Sequence, residues 1–132
     1  MNYLLDTHSF LWSAFSSRKL SRHAREAIVD PGNEVCISAI SFWEVSLKYA
    51  LKKIELDVIT PEELPDIAEQ MGYSVLPLNA IEAASFHRLP LGGHKDPFDR
   101  MLIWQAVTQH KTLISKDTKI GDYVQYGLSV LW

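Results

Sequence analysis

The stretch His94-Lys-Asp-Pro-Phe-Asp-Arg-Met-Leu-Ile-Trp-Gln-Ala106 carries two aspartates, a proline and an apolar helical face within thirteen positions. Asp96-Pro97 reads as a helix entry. The aspartate caps free N–H groups, and proline suits the first helical position, where its missing N–H costs nothing. Asp99 then falls in the first turn, and Met101, Leu102, Trp104 and Ala106 offer buried surface behind it. Alone, this segment explains both acids as caps that meet the positive end of a helix dipole. The chain repeats the placement elsewhere, and the repetition decides the fold.

Outward from this segment, short apolar runs alternate with helical patterns. Residues 2–5 form an apolar run that stops at Asp6. Thr7 is a candidate cap for a following helix with Phe10, Leu11 and Trp12 on its apolar side, and His8 lies in the first turn as a solvated residue or a ligand. Ser21 caps a helix running to about Asp30, and Pro31-Gly32-Asn33 is a loop. Val35-Cys-Ile-Ser38 is a second strand, followed by a helix over Ile40–Leu51. Ser41 and Glu44 at its entry fit a capping box, and Glu44 faces Lys48 as an ordinary surface pair. Thr60 opens a helix ending near Gly72. Tyr73–Leu76, Thr112–Ser115 and Leu128–Leu131 read as further strands, with a helix from about Ala80 to His87 and a glycine-containing loop over Pro90–Lys95. This alternation predicts an α/β fold, with a mostly parallel central sheet and helices on both faces.

The length of 132 residues suits a single domain over 1–132 with a sizeable core, and 47% hydrophobic with 22% charged residues is ordinary for a globular chain. The formal net charge of −3 argues against a DNA module that works by bulk charge, so nucleic-acid contact would rest on local patches such as Arg18, Lys19, Arg22 and Arg25. Cys36 is the only cysteine, which excludes an internal disulfide and a thiolate metal site. No run approaches the roughly 18 apolar residues of a membrane span, and the N-terminus lacks a signal-peptide layout, so the expected location is the cytoplasm.

Three apolar runs lead to an acid at or beyond their C-terminal ends: Tyr3–Leu5 to Asp6, Val35–Ser38 to the helix carrying Glu44, and Leu113–Ser115 to Asp117. In an open parallel sheet those ends share one edge, where ligands bind near a switch in strand order. The helix entered at Asp96 brings Asp99 to the same edge. Like charges so close are unfavourable without a counterion. Lys48, Lys95 and Lys116 lie nearby in sequence, but spacing places none of them between the acids. A hard divalent cation is the simplest compensation. An oxygen ligand set points to Mg²⁺ or Mn²⁺ rather than Zn²⁺, and hence to metal-assisted phosphodiester hydrolysis.

Four motifs occur in order: Leu4-Leu-Asp6-Thr-His, Ile37-Ser-x-x-Ser-x-x-Glu44, Asp96-Pro-Phe-Asp99-Arg-x-Leu-Ile-x-Gln-Ala106 and Leu113-Ile-Ser-x-Asp117. Together they resemble a PIN-domain protein of the VapC toxin type over essentially the whole chain. The resemblance implies a PIN-like fold and a metal-dependent ribonuclease, acting as the toxin of a toxin–antitoxin pair. It further implies an RNA substrate, a VapB-type antitoxin and a homodimer; an antitoxin segment is expected to lie across the acid edge and present a basic side chain to it. The acids matching the family's catalytic quartet are Asp6, Glu44, Asp99 and Asp117. Asp6 and Asp99 would bind metal directly, while Glu44 and Asp117 would bind it directly or through water and help orient the nucleophile. Thr7 matches the family's polar residue after the first acid. Asp96 would support the site from behind or only cap its helix, and Arg100 would touch phosphate or antitoxin, or pair with an acid.

The rival from another class is a non-catalytic binding module on the same fold, which predicts neither a metal requirement nor cleavage. A haloacid-dehalogenase-like phosphatase also opens with a strand ending in aspartate. It needs a second aspartate two positions later, where this chain has His8. A flavodoxin-like phospho-acceptor would rest on fold analogy alone. Trp12, Trp43, Trp104 and Trp132, with the Leu47–Leu56 segment, supply apolar surface for the core or for a partner.

Overall fold

A computed structural model describes all 132 residues. The apolar runs form five parallel strands: β1 (Asn2–Leu5), β2 (Glu34–Ser38), β3 (Ser74–Leu76), β4 (Thr112–Ile114) and β5 (Ser129–Leu131), in the order β3-β2-β1-β4-β5. Register places Leu4 beside Cys36 on one neighbour and Leu113 on the other. Because successive side chains alternate between faces, the sheet divides two cores. Tyr3, Leu5, Val35, Ile37 and Ile114 pack on one side, with Phe10 of α1 (Thr7–Phe15), Ala24 and Ala27 of α2 (Arg22–Val29), Val45 of α3 (Ala39–Ala50), and Leu64 and Ala68 of α4 (Leu64–Gln70). Leu4, Cys36 and Leu113 face the other side, against Ile103 and Ala106 of α6 (Pro97–Thr108) and Ile120, Tyr123 and Leu128. α5 (Ala80–Ser85) precedes α6 and continues as a tighter 3₁₀ turn over Phe86–Arg88. Cover on both faces explains why β1 and β4 read as unbroken apolar runs.

The local signals at most helix starts hold. Ser21 accepts the Ala24 N–H (3.0 Å), and Asp96 accepts the Phe98 N–H (2.8 Å) with Pro97 at the first helical position. Two caps belong to other residues than the spacing predicts. α1 is capped by Asp6, which accepts the Ser9 N–H (2.8 Å), so Thr7 is freed for a different role. α3 begins at Ala39 and is capped by Ser38, whose hydroxyl accepts the Ile40 N–H (3.1 Å). The strand's last residue is already the cap, so the helix starts at Ala39, two residues before Ser41, and the Ser41–Glu44 capping box does not form. Glu44 sits in the body of α3 instead.

β1 pairs with β2 on one side and β4 on the other, so the strand order reverses at β1. The Asp6 N–H donates to the Ile114 carbonyl (3.1 Å), tying the carboxyl ends of β1 and β4 together at that switch. This edge is where an open parallel sheet leaves a crevice.

Candidate metal centre

An open cleft of about 290 Å³ lies at the switch, and Asp6, Glu44, Asp99 and Asp117 all line it. The four expected acids are therefore brought together from four separate stretches of chain. Asp6 directly follows β1, Asp99 is in the first turn of α6, Glu44 projects from α3, and Asp117 follows β4. Asp6, Asp96 and Asp117 each also cap a helical turn; Asp117 accepts the Lys119 N–H (2.9 Å). Capping and convergence are thus compatible, since the helix N-termini themselves meet at this edge.

The electrostatics show strain between the acids. Burial pushes the Asp99 carboxyl up to about 6, reinforced by repulsion from Asp96, Glu44 and Asp6 and opposed by His94. Glu44 is nearly fully buried. Its Oε1 accepts the Thr7 hydroxyl (2.6 Å), which also lies 2.9 Å from the Ser41 hydroxyl. Its Oε2 pairs with Lys48. Burial alone would lower the Lys48 ammonium, but the bond to Glu44 and the attraction of Glu44, Asp96 and Asp99 outweigh it and hold it above its ordinary value. The Glu44–Lys48 pair is therefore no ordinary surface pair: it is the wall of the cleft, and Lys48 supplies a cation that spacing did not place there. Lys116 supplies a second in the lining of the cleft, its Nζ lying 5.9 Å from the centre of the Trp12 ring. His8 stacks on Trp12 with centroids 5.7 Å apart, and both face the cleft.

Arg100 departs from its expected role. Its buried guanidinium donates to the Leu89 carbonyl (3.0 Å), the Pro90 carbonyl (3.2 Å) and the Tyr123 hydroxyl (3.1 Å), and lies over the Phe86 ring. It pairs with no acid and lines no part of the cleft, because the loop before α6 offers carbonyls that only a buried donor can satisfy. Asp96 spends one oxygen on its cap and acts on Asp99 through charge.

Two residues of the opening stretch have roles that sequence reasoning missed. Gln105, fully buried, accepts the Ser38 hydroxyl (2.6 Å) and donates to the Pro77 carbonyl (3.2 Å), joining α6 to the end of β2. The only signal was a polar residue on an apolar helical face. His94 is buried between two of the acids: Nε2 is 2.6 Å from Asp117 Oδ2, and Nδ1 is 3.5 Å from Asp99 Oδ2. His94, Asp99 and Asp117 form a group whose donor atoms lie within 4.8 Å of one another. A second, tight cavity of about 10 Å³ has Asp6, His94, Asp99, Ser115 and Asp117 on its polar side and Ile103 and Leu113 among its apolar lining. That is about the volume of one water. Close-set carboxylates, one of them driven up by burial and by its acidic neighbours, around a space of this size fit a small hard cation.

Residues 3–124 match the family model for the PIN domain, and the chain belongs to that family. No curated protein sequence matches it significantly. Among solved structures, it is similar to a chain in VapBC2 from Rickettsia felis bound to a DNA fragment from their promoter. The TM-score is 0.66 at 16% identity, covering 100% of this chain and 99% of the other. A chain in the DNA-bound VapBC of Salmonella typhimurium gives 0.63 at 18% identity, covering 99% and 97%. A chain in FitAcB from Neisseria gonorrhoeae gives 0.57 at 18%, covering 98% and 96%. The architecture is thus that of chains found in VapBC and FitAB complexes. No helix is long and apolar enough to cross a membrane.

Proposed function

We propose that this chain is a metal-dependent endoribonuclease, the toxin of a toxin–antitoxin pair, hydrolysing RNA phosphodiester bonds at an acid-lined Mg²⁺ or Mn²⁺ site. The observation that carries the reading is the convergence of Asp6, Glu44, Asp99 and Asp117 on one cleft at the switch edge of a PIN fold. Asp6, Asp99 and Asp117 would hold the cation, which supplies a more acidic water and charge compensation at the phosphate. Glu44, fixed by Thr7 and Lys48, orients the attacking water. Lys48 and Lys116 draw the phosphate into an otherwise anionic cleft, and the exposed His8 offers an aromatic face to an unpaired base. A VapB-type antitoxin as partner accords with the VapBC complexes in which chains of this architecture occur, and a homodimer is part of the same proposal.

The test is cleavage of total RNA by the purified, partner-free protein with Mg²⁺ or Mn²⁺ and with EDTA, beside the Asp6→Asn and Asp99→Asn variants. Cutting that needs the metal and is lost in both variants supports the nuclease. Equal cutting by all three proteins marks a contaminant. Absence of cutting, together with no metal uptake in calorimetry, replaces the proposal with a non-catalytic binding module.

A further inference from the structure

Resting on the reading of this cleft as a metal centre, we propose that His94 is itself a ligand, binding the cation through Nδ1 beside Asp99. Asp117, besides its own place at the cation, then also holds the ring through Oδ2. The imidazole is only 9% exposed and is lodged between two acids. Its two nitrogens are not equivalent. Nε2 lies 2.6 Å from Asp117 Oδ2, a full hydrogen bond in which an ionised carboxylate can only accept, so Nε2 carries the proton. In the neutral ring the lone pair is then on Nδ1, and Nδ1 has no hydrogen bond: its nearest acid oxygen is at 3.5 Å. Ligands of a six-coordinate cation with bonds of about 2.1–2.2 Å sit roughly 3 Å apart, so Nδ1 and Asp99 Oδ2 are close to the spacing of neighbours in one coordination shell. The water-sized cavity lined by Asp6, His94, Asp99 and Asp117 lies at this point. A histidine that ligates through one nitrogen while giving its other N–H to a carboxylate is a general arrangement in metal sites.

The backbone around His94 is built to hold it there. Its N–H donates to the Tyr123 hydroxyl (3.3 Å), and that hydroxyl lies 3.4 Å from the His94 carbonyl. Tyr123 is fully buried and takes a further bond from Arg100. A histidine serving only as a counter-charge to two acids would be displaced once a cation arrived, and would not need a fixed backbone. One nitrogen among oxygens also shifts the preference of the site from Mg²⁺, which favours oxygen ligands, toward Mn²⁺.

The experiment is pulsed EPR on the full chain loaded with Mn²⁺, reading the coupling of directly bound ¹⁴N. It is run on the native protein and on His94→Gln and His8→Gln, because His8 is the other imidazole at the cleft. Coupling in the native protein and in His8→Gln, absent in His94→Gln, is the expected result. In His8→Gln carrying ¹⁵N-histidine the ¹⁴N signal must be replaced by that of ¹⁵N, which keeps the test open if His94→Gln does not fold. Calorimetry should show Mn²⁺ bound more tightly than Mg²⁺ by the native chain, and about 10–100-fold weaker Mn²⁺ binding in His94→Gln. Mn²⁺ bound with no nitrogen coupling, or coupling that persists in His94→Gln, overturns the assignment while leaving the metal centre intact. Failure of Mn²⁺ to bind at all overturns both.

Discussion

Asp99 shows how far the cleft departs from an equilibrium of ordinary surface charges. Its carboxyl, ordinarily near 3.8, is driven up to about 6 by burial and by Asp96 and Glu44. A group raised on folding stabilises the fold fully below its unfolded value and loses that contribution as pH rises through its folded one. The metal-free protein should therefore lose stability between about pH 4 and pH 6 from this residue, and EDTA-treated samples melted across that range will show it. Asp99→Asn should raise the melting temperature of the metal-free protein at pH 7 by a few degrees, since removal of about 1 kcal/mol of repulsion shifts a domain of this size by that much. The same variant should lose Mn²⁺ binding, so stability and function trade against each other at one side chain. Glu44 makes the complementary case. Lys48→Met should cost about 2 kcal/mol by leaving a buried carboxylate unpaired, and Glu44→Gln added to it should restore most of the loss in urea unfolding.

At the level of elements, the site depends on helices that begin at the carboxyl edge of the sheet. Asp96→Ala should cost about 1 kcal/mol as a lost cap at α6. The loop that feeds this helix is sensitive for another reason. A Cβ on Gly92 would lie 2.6 Å from Tyr123 Cζ, so Gly92→Ala must displace the tyrosine that fixes His94, and both melting temperature and Mn²⁺ affinity should fall. Much of this was legible in the sequence. Asp96-Pro97 announced α6, and the apolar runs announced all five strands, because both signals are local. The misplaced caps were also local signals, but competing ones. Ser38 and Ser41 can each cap, as can Asp6 and Thr7, and only the packing of α3 and α1 selects between them. Arg100 and His94 were beyond reach for a different reason. Their partners lie in the Leu89–Pro90 carbonyls, Tyr123 and Asp117, and no spacing rule links these to a motif that ends at Ala106.

Across the whole molecule, two groups of basic side chains stand at different distances from the acids. Arg18, Lys19, Arg22 and Arg25 are exposed and follow the C-terminal end of α1, whose nine residues rise about 13 Å away from Asp6. Lys48 and Lys116 stand inside the cleft. If RNA enters beside the acids, Lys116→Glu should weaken its binding more than the pair Arg22→Glu and Arg25→Glu. It should also flatten the salt dependence by about one phosphate contact, as read by titrations at several ionic strengths. Almost the whole chain separates Asp6 from Asp117, yet their strands are adjacent and tied by the Asp6–Ile114 hydrogen bond. A cation held by both ends would close a loop nearly as long as the protein, and closing a loop of about 100 residues restricts the unfolded chain by some 4–5 kcal/mol in the chain-entropy picture. For this molecule, then, a chelator would play the part that a reductant plays for a protein stapled by a disulfide.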